Sequence, residues 1–295
     1  MNRIAAFALV SATLMAAPTS AQRSMDDVEI KTEQVAPGVA VLYGAGGNIG
    51  LSFGDDATVL IDDQFAPLSG KIEAAVAGIG ATPVKYVVNT HWHGDHTGGN
   101  EHFGKTGATI FAHDNVRVRM STEQTRGTRV TAPSPKEALP VVTYAQGMRF
   151  HLNGDTINLM FLGGGHTDGD SVVIWEEKNV IHMGDLYFKI PGYPFIDVAS
   201  GGDVYNAMRS LDLVIAMIDD ETKVIPGHGT MSNKPELIAY RAMIGEAVSR
   251  VETLHSEGKS LEETVAAKPL AGFDRGEGFV SADAFVGAIW NSIEG

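Results

Sequence analysis

The stretch Tyr86-Val87-Val88-Asn89-Thr90-His91-Trp92-His93-Gly94-Asp95-His96-Thr97-Gly98-Gly99-Asn100 decides how the rest of the chain is read. Four side chains able to bind a metal, His91, His93, Asp95 and His96, fall within six residues. They follow an apolar run that reads as the end of a strand, where alternation puts His91 and His93 on one side. The chain then turns at Gly94, so Asp95 and His96 open a helix and point back toward the same pocket. A donor set dominated by imidazole suits Zn²⁺ or another borderline divalent ion. The chain holds ten histidines, and composition alone gives such a run with odds below about one in a thousand.

Further along, single polar residues stand at the ends of other apolar runs. His166 lies in Gly163-Gly164-Gly165-His166-Thr167-Asp168-Gly169-Asp170, Asp185 follows Ile181-His182-Met183-Gly184, and His228 lies in Pro226-Gly227-His228-Gly229 after Val224-Ile225. Such positions are where α/β architectures gather function on loops held by a rigid sheet. Ligating histidines need acceptors for their second ring nitrogen. Asp62, Asp63, Asp168 and Asp170 are the candidates, with Asp170 foremost, and turn formation or capping is the preferred reading of Asp63 and Asp168. His102, His113, His151 and His255 lack ligand spacing and read as surface or packing residues. His182 reads equally as an orienting residue or a satisfied core histidine. For Lys189 a solvated ammonium is preferred over contact with a substrate carboxylate at the cleft mouth.

The surrounding pattern is that of an α/β domain. Short β-branched runs at Val39–Tyr43, Leu51–Phe53, Thr58–Ile61 and Val84–Val88 predict a first group of strands. Leu68, Ile72, Ala75 and Ile79 give Pro67–Ile79 a helical period. A second group of strands is predicted at Phe150–Leu152, Ile157–Phe161, Ser171–Trp175, Val180–His182 and Val224-Ile225. Helices are predicted at Val204–Met217, Lys234–His255, Leu261–Ala267 and Ala282–Trp290. Between Ala112 and Thr143, Arg117, Arg119, Arg126 and Arg129 read as the solvated face of a helix that runs into an exposed loop at Ala132-Pro133-Ser134-Pro135.

Composition narrows the function. The chain has 295 residues, 44% hydrophobic and 20% charged, with a net charge of −14. That balance excludes a disordered, collagen-like or multi-span membrane chain. The acidic field argues against nucleic acid as a partner and leaves a small-molecule substrate. There is no Cys, so disulfides, thiolate ligands and cysteine nucleophiles are ruled out. Arg3, the uncharged apolar run Ile4–Ala17 and the small residues Pro18-Thr19-Ser20-Ala21 before Gln22 predict a signal peptide over residues 1–21. Cleavage near Ala21 would release residues 22–295, expected to be a single domain, to the periplasm or exterior with no stable membrane anchor. An exported protein without cysteine must hold together through its core.

Taken together, the HxHxDH run, the later lone His166, the Gly184-Asp185 pair and the PGHG sequence resemble the metallo-β-lactamase superfamily, in order and over nearly the whole mature chain. The resemblance implies a four-layer αβ/βα sandwich with a dinuclear site between two similar halves. It implies one Zn²⁺ on His91, His93 and His166, and a second on Asp95, His96 and His228. Asp185 would bridge both beside a shared hydroxide, and Fe or Mn also fits these donors. Two such cations acidify a shared water and polarise the bond under attack, with Asp95 aiding proton transfer to the leaving group. The expected function is a zinc-dependent hydrolase that opens a cyclic amide, ester or thioester, in the manner of a class B-like β-lactamase.

Departures refine this. The Cys-containing β-lactamase subclass has Cys where Asp185 stands, so the site is similar to those of the Asp-bridged members: thioesterases, lactonases, phosphodiesterases and some lactamases. His93 argues against the flavodiiron enzymes, and length and acidity argue against the nuclease branch. A mononuclear iron persulfide dioxygenase is the alternative of a different class; a phosphodiesterase or lactonase is the alternative within the fold. The Gly44–Gly50 turn resembles the family's mobile flap. An ordinary turn is an equal reading of it. Specificity is expected in this segment, in Ser121–Val141 and in Tyr187–Pro194, while the tail from Glu236 onward reads as a cover for one end of the cleft or as a dimer contact.

Overall fold

The computed structural model describes residues 25–126 and 128–295. The export signal read in residues 1–21 lies outside them. Two sheets pack face to face. The first runs, in spatial order, Lys31–Ala36, Val39–Tyr43, Ile49–Ser52, Thr58–Ile61, Val84–Asn89, Thr109–His113 and Val142–Tyr144. Its first four strands pair antiparallel and the remainder parallel. The second runs Gly147–Leu152, Asp155–Phe161, Ser171–Trp175, Val180–His182 and Lys223–Ile225, antiparallel until its last, parallel pair.

Strand alternation sorts the core into layers. Val39, Val41, Val59, Ile61 and Val88 meet Ile157, Leu159, Val173 and Trp175 between the sheets. Their strand neighbours Ala40, Leu42, Leu60 and Val87 point outward onto Leu68, Ile72 and Val76 from the helical stretch Ala66–Gly78, and onto Phe103. On the far side, the second sheet is covered by helices Val204–Met217, Lys234–Ser256 and Ala282–Glu294, through Leu211, Val214, Leu237, Ile244, Phe285 and Ile289. Helices, sheet, sheet and helices make the expected αβ/βα sandwich. Among the described residues no helix is long and apolar enough to cross a membrane.

The structure adjusts the sequence reading in places. The strand expected at Leu51–Phe53 begins earlier, at Ile49. Lys31–Ala36 is a strand although Lys31–Gln34 are all exposed, on both faces; this edge strand is held by backbone pairing with Val39–Tyr43 and carries little apolar signal. Thr109–His113 and Val142–Tyr144 extend the first sheet on either side of helix Asp114–Ser121. Two of the arginines there, Arg117 and Arg119, are not merely solvated. Arg119 forms a two-pronged pair with Asp168, at 2.7 Å through both Nε and Nη2, and Arg117 donates to the Pro140 carbonyl.

Candidate metal centre

Five strand ends converge at one edge of the sandwich. Thr58–Ile61 delivers Asp62, Val84–Asn89 the His91–His96 run, Asp155–Phe161 His166, Val180–His182 Asp185, and Lys223–Ile225 His228. Asp95 and His96 sit in the short helix Gly94–Thr97, as expected. Ligand atoms of His91, His93, His166 and Asp185 all lie within 4.8 Å of one another, as do those of Asp95, His96 and His228. All seven sequence-predicted residues are therefore brought together, in the two expected clusters.

Asp185 joins the clusters. Its Oδ2 lies 3.7 Å from His91 Nε2 and 3.5 Å from His166 Nε2. Its Oδ1 lies 3.1 Å from His96 Nε2 and 3.4 Å from His228 Nε2. Asp95 Oδ2 approaches His228 Nε2 at 3.4 Å. Asp95 is the most open of the seven, its side chain 27% exposed, while His91 and His96 are fully buried.

The ring tautomers are set from outside the cluster. His166 Nδ1 donates to the Phe195 carbonyl at 2.6 Å, an oxygen that can only accept, and its neutral ring then presents a bare Nε2 lone pair. That Nε2 faces His93 Nδ1 at 2.8 Å, while His93 Nε2 is held by Asp197 Oδ2 at 2.8 Å. Thr90 gives its hydroxyl proton to Asp62 and so receives His91 Nδ1–H at 3.0 Å, aiming His91 Nε2 inward. Asp62 Oδ2 holds His96 Nδ1 at 2.7 Å. Buried His91 Nε2 and Asp185 Oδ1 have no aligned hydrogen-bond partner. Inward lone pairs around a shared carboxylate, two of them orphaned, are what a bound cation satisfies. The donor set fits a metal.

Electrostatics agree. Burial, then the neighbouring imidazoles, hold His91 well below the usual histidine range, and burial pulls His166 down to about 4. Burial also opposes charge on His96 and His228. Asp185, with Asp62 and Asp95 beside His96, nevertheless lifts His96 well above the ordinary value, and Asp185 and Asp95 lift His228 to about 9. The same cations hold Asp185 and Asp95 ionised against burial. A cation bound there would answer the negative charge that these carboxylates gather.

The supporting residues only partly match the sequence reading. Asp170 is not an orienter: its oxygens close their own turn on Thr167 N and Oγ1. Asp62 and Asp197 do that work instead, and sequence reasoning missed Asp197 entirely. Its only trace was a lone acid after the apolar run Tyr193-Pro194-Phe195-Ile196. Asp63 accepts from Gly99 N, 36 residues away, and Asp168 pairs with Arg119, so neither bond closes the local turn expected of them. His182 is a satisfied core histidine. It donates to Asn48 O and accepts from Gly184 N, steadying the turn that carries Asp185. Lys189 is only partly exposed to solvent, and its ammonium is engaged by Met231 O and Glu236.

The Gly44–Gly50 turn is pinned over the centre. Gly47 N donates to Asp95 O and Asn48 N to Gly227 O; Asn48 Nδ2 reaches Pro226 O and Gly229 O at 2.8 Å each. Gly47 is required by close approach, because a Cβ there would lie 2.1 Å from His96 Cε1. Above the donors opens a cleft lined by Gly46, Phe65, Phe188, Ile190, Phe195 and Phe279, with His93, Asp95, Asp185 and His228 at its floor. Tyr187–Pro194 contributes Phe188 and Ile190 to this wall, as expected, and the tail contributes Phe279, whereas among the described residues Ser121–Val141 contributes none.

Comparison with known proteins agrees with this geometry. The sequence model of the Metallo-beta-lactamase superfamily matches residues 42–228, a span that holds all seven donors. The hydroxyacylglutathione hydrolase of Methylococcus capsulatus is 27% identical over 226 residues, 74% of this chain and 77% of that protein. The metallo-beta-lactamase type 2 of Bacteroides fragilis is 27% identical over 157 residues, 53% of this chain and 57% of that one. Among solved structures, a metallo-beta-lactamase from Pontibacter korlensis superposes with a TM-score of 0.61 at 18% identity, covering 74% of this chain and 99% of its own. The sec-alkylsulfatase Pisa1 of a Pseudomonas species reaches a TM-score of 0.68 at 18% identity, over 89% of this chain and 50% of its own.

Proposed function

Since the chain belongs to the metallo-β-lactamase superfamily, we propose that it is an exported zinc hydrolase with a two-metal centre that cleaves an amide, ester or thioester bond. The observation that carries this reading is the division of Asp185, one carboxylate oxygen toward each donor cluster. His91, His93 and His166 would hold one ion, Asp95, His96 and His228 the other, and Asp185 both. Such a pair supplies a water acidified toward neutral pH and a Lewis acid for the acyl oxygen.

The chain's own residues do the rest. Asp62, Asp197, Thr90 and the Phe195 carbonyl keep the imidazole rings in one tautomer and orientation. The Phe65, Phe188 and Phe195 rings exclude bulk water from the floor and strengthen electrostatic interactions there. Asp95, the ionised donor most open to the cleft, is placed to accept a proton during the reaction and pass it to a leaving group. Hydrolases of thioesters and of β-lactams stand among the curated relatives, and their shared chemistry is attack on an acyl carbon. A single-iron dioxygenase would leave Asp95, His96 and His228 gathered without a second cation, which favours the two-metal reading.

The test is kcat/KM of the zinc-loaded protein on a chromogenic cephalosporin and on simple acyl esters and thioesters, with and without chelator. A chelator-sensitive value above about 10⁴ M⁻¹s⁻¹ on one of them is expected. Background rates on all of them overturn the hydrolase reading. Export is checked separately, by finding a mature N-terminus at Gln22 in the periplasmic or secreted fraction.

A further inference from the structure

The cleft above the metal centre has a volume of about 490 Å³, and its wall is unusual in what it contains. Four phenylalanines and one isoleucine line it. Among the described residues no lysine or arginine does. The cations nearest in sequence to the wall are turned away. Lys189 spends its ammonium on Met231 O and Glu236, and Arg275 donates to the carbonyls of Gly192 and Ile190. When metal is bound, positive charge sits at the floor, where the scissile group lies, and nothing on the wall answers a second anionic group. The chain's net charge of −14 further opposes the approach of anions.

Phe279 completes the wall from outside the family's common span. It belongs to the segment between helices Leu261–Ala266 and Ala282–Glu294, beyond residue 228 where the superfamily match ends. Its side chain is 81% exposed, a large apolar group held in water at the cleft mouth. The ring stands edge-on to Phe195, with centroids 5.6 Å apart at 88°. Phe195 in turn stacks on His93 at 5.8 Å and meets His166 at 5.4 Å. A continuous aromatic surface therefore runs from the donor cluster to the solvent. An exposed aromatic that supports no core gains its energy when a ligand covers it.

We propose that the cleft selects substrates whose acyl part is uncharged and aromatic or bulky apolar, and that Phe279 is the residue that sets this preference. The proposal rests on the hydrolase reading for the reaction but not for the binding. An apolar acyl group covers the Phe195 and Phe279 faces while its carbonyl reaches the floor. A substrate with carboxylates remote from the scissile bond finds no partner for them and pays their desolvation.

The test has a binding arm and a turnover arm, both on the zinc-loaded full chain. In the first, N-methylphenylacetamide and N-methylacetamide are titrated calorimetrically into wild-type protein and Phe279→Ala. The aromatic amide should bind at least tenfold more tightly than the small one, and the variant should lose most of that ratio. Equal affinities in the wild type, or an unchanged ratio in the variant, overturn the proposal. In the second, a neutral phenylacetyl thioester is compared with the thioester of the same thiol whose phenylacetyl ring carries a carboxylate. The neutral compound should have at least a tenfold higher kcat/KM, and a preference for the anionic one overturns the proposal. If neither is hydrolysed while the binding ratio and its loss in the variant hold, the hydrolase reading fails and the pocket chemistry stands.

Discussion

Asp197 Oδ2 accepts from His93 Nε2 at 2.8 Å and also receives the Ser200 hydroxyl at 2.7 Å, so a loop of the second half fixes a donor supplied by the first. Replacing Asp197 with Ala frees the His93 ring to rotate and change tautomer. Zinc affinity should fall about 10–100-fold, the usual consequence of removing an orienting carboxylate, with the circular dichroism spectrum unchanged. Competition against a chelating dye measures it, and unaltered affinity refutes the positioning role.

Gly47→Ala should damage the other cluster. The new methyl would stand 2.1 Å from His96 Cε1 and 2.6 Å from Nδ1, and His96 cannot yield without releasing Asp62. A cost of about 1–3 kcal/mol is expected from such overpacking, with weakened zinc binding at the Asp95–His96–His228 cluster. Gly287→Ala, in open space within a helix, is the control and should cost nothing. Urea unfolding with zinc titration separates the two.

Zinc should stabilise the fold by linkage. At a free concentration 100 times its Kd, an ion that binds only the native state adds about 2.7 kcal/mol. For a domain of this size that raises Tm by about 5–10 °C. A chelator should return Tm to its starting value, and magnesium, which prefers oxygen donors, should not substitute. A zinc-independent Tm refutes metal binding by the folded chain.

Acid should weaken the helix Asp114–Ser121 through His113. This residue caps the helix by accepting from Asn115 N and donates from Nε2 to Ala145 O. Burial lowers its pKa, while the Ala145 carbonyl, Asp114 and Asp168 oppose that. The unfolded chain then takes up the proton before the native state does. The contribution is present above pH 6.5 and lost as pH falls below it. His113→Asn keeps a capping oxygen without titrating, so its urea midpoint should drop less than wild type between pH 7.5 and 5.5. Equal drops refute the assignment.

Much of this was legible in the sequence, and what was not has identifiable causes. The helix Val204–Met217 and the strand Ser171–Trp175 match their predicted bounds, because apolar period and turn residues agree there. The seven donors were readable because each ends an apolar run. Of the orienting carboxylates, Asp62 stood among the sequence candidates, but Asp197 did not. His93 and Asp197 are 104 positions apart, and hydrogen bonds between separate loops leave no local period. Asp170, close to His166 in sequence, was preferred for that proximity, yet a four-residue separation across a glycine-rich turn brings its carboxylate back to Thr167. Lys189 and Arg119 were misread for the same reason, their partners Glu236 and Asp168 being 47 and 49 residues distant.

The distribution of donors along the chain also orders events during biogenesis. Residues 91–96 supply four donors early, but the first cluster lacks His166 and Asp185 until the second sheet exists, and the second lacks His228 until Lys223–Ile225 is paired. A nascent chain therefore offers only part of each donor set, which holds an ion more weakly than the closed centre. High-affinity capture waits for closure of the sandwich. Metallation would then report completed folding, and the ions available where the chain folds would determine which metal the centre takes.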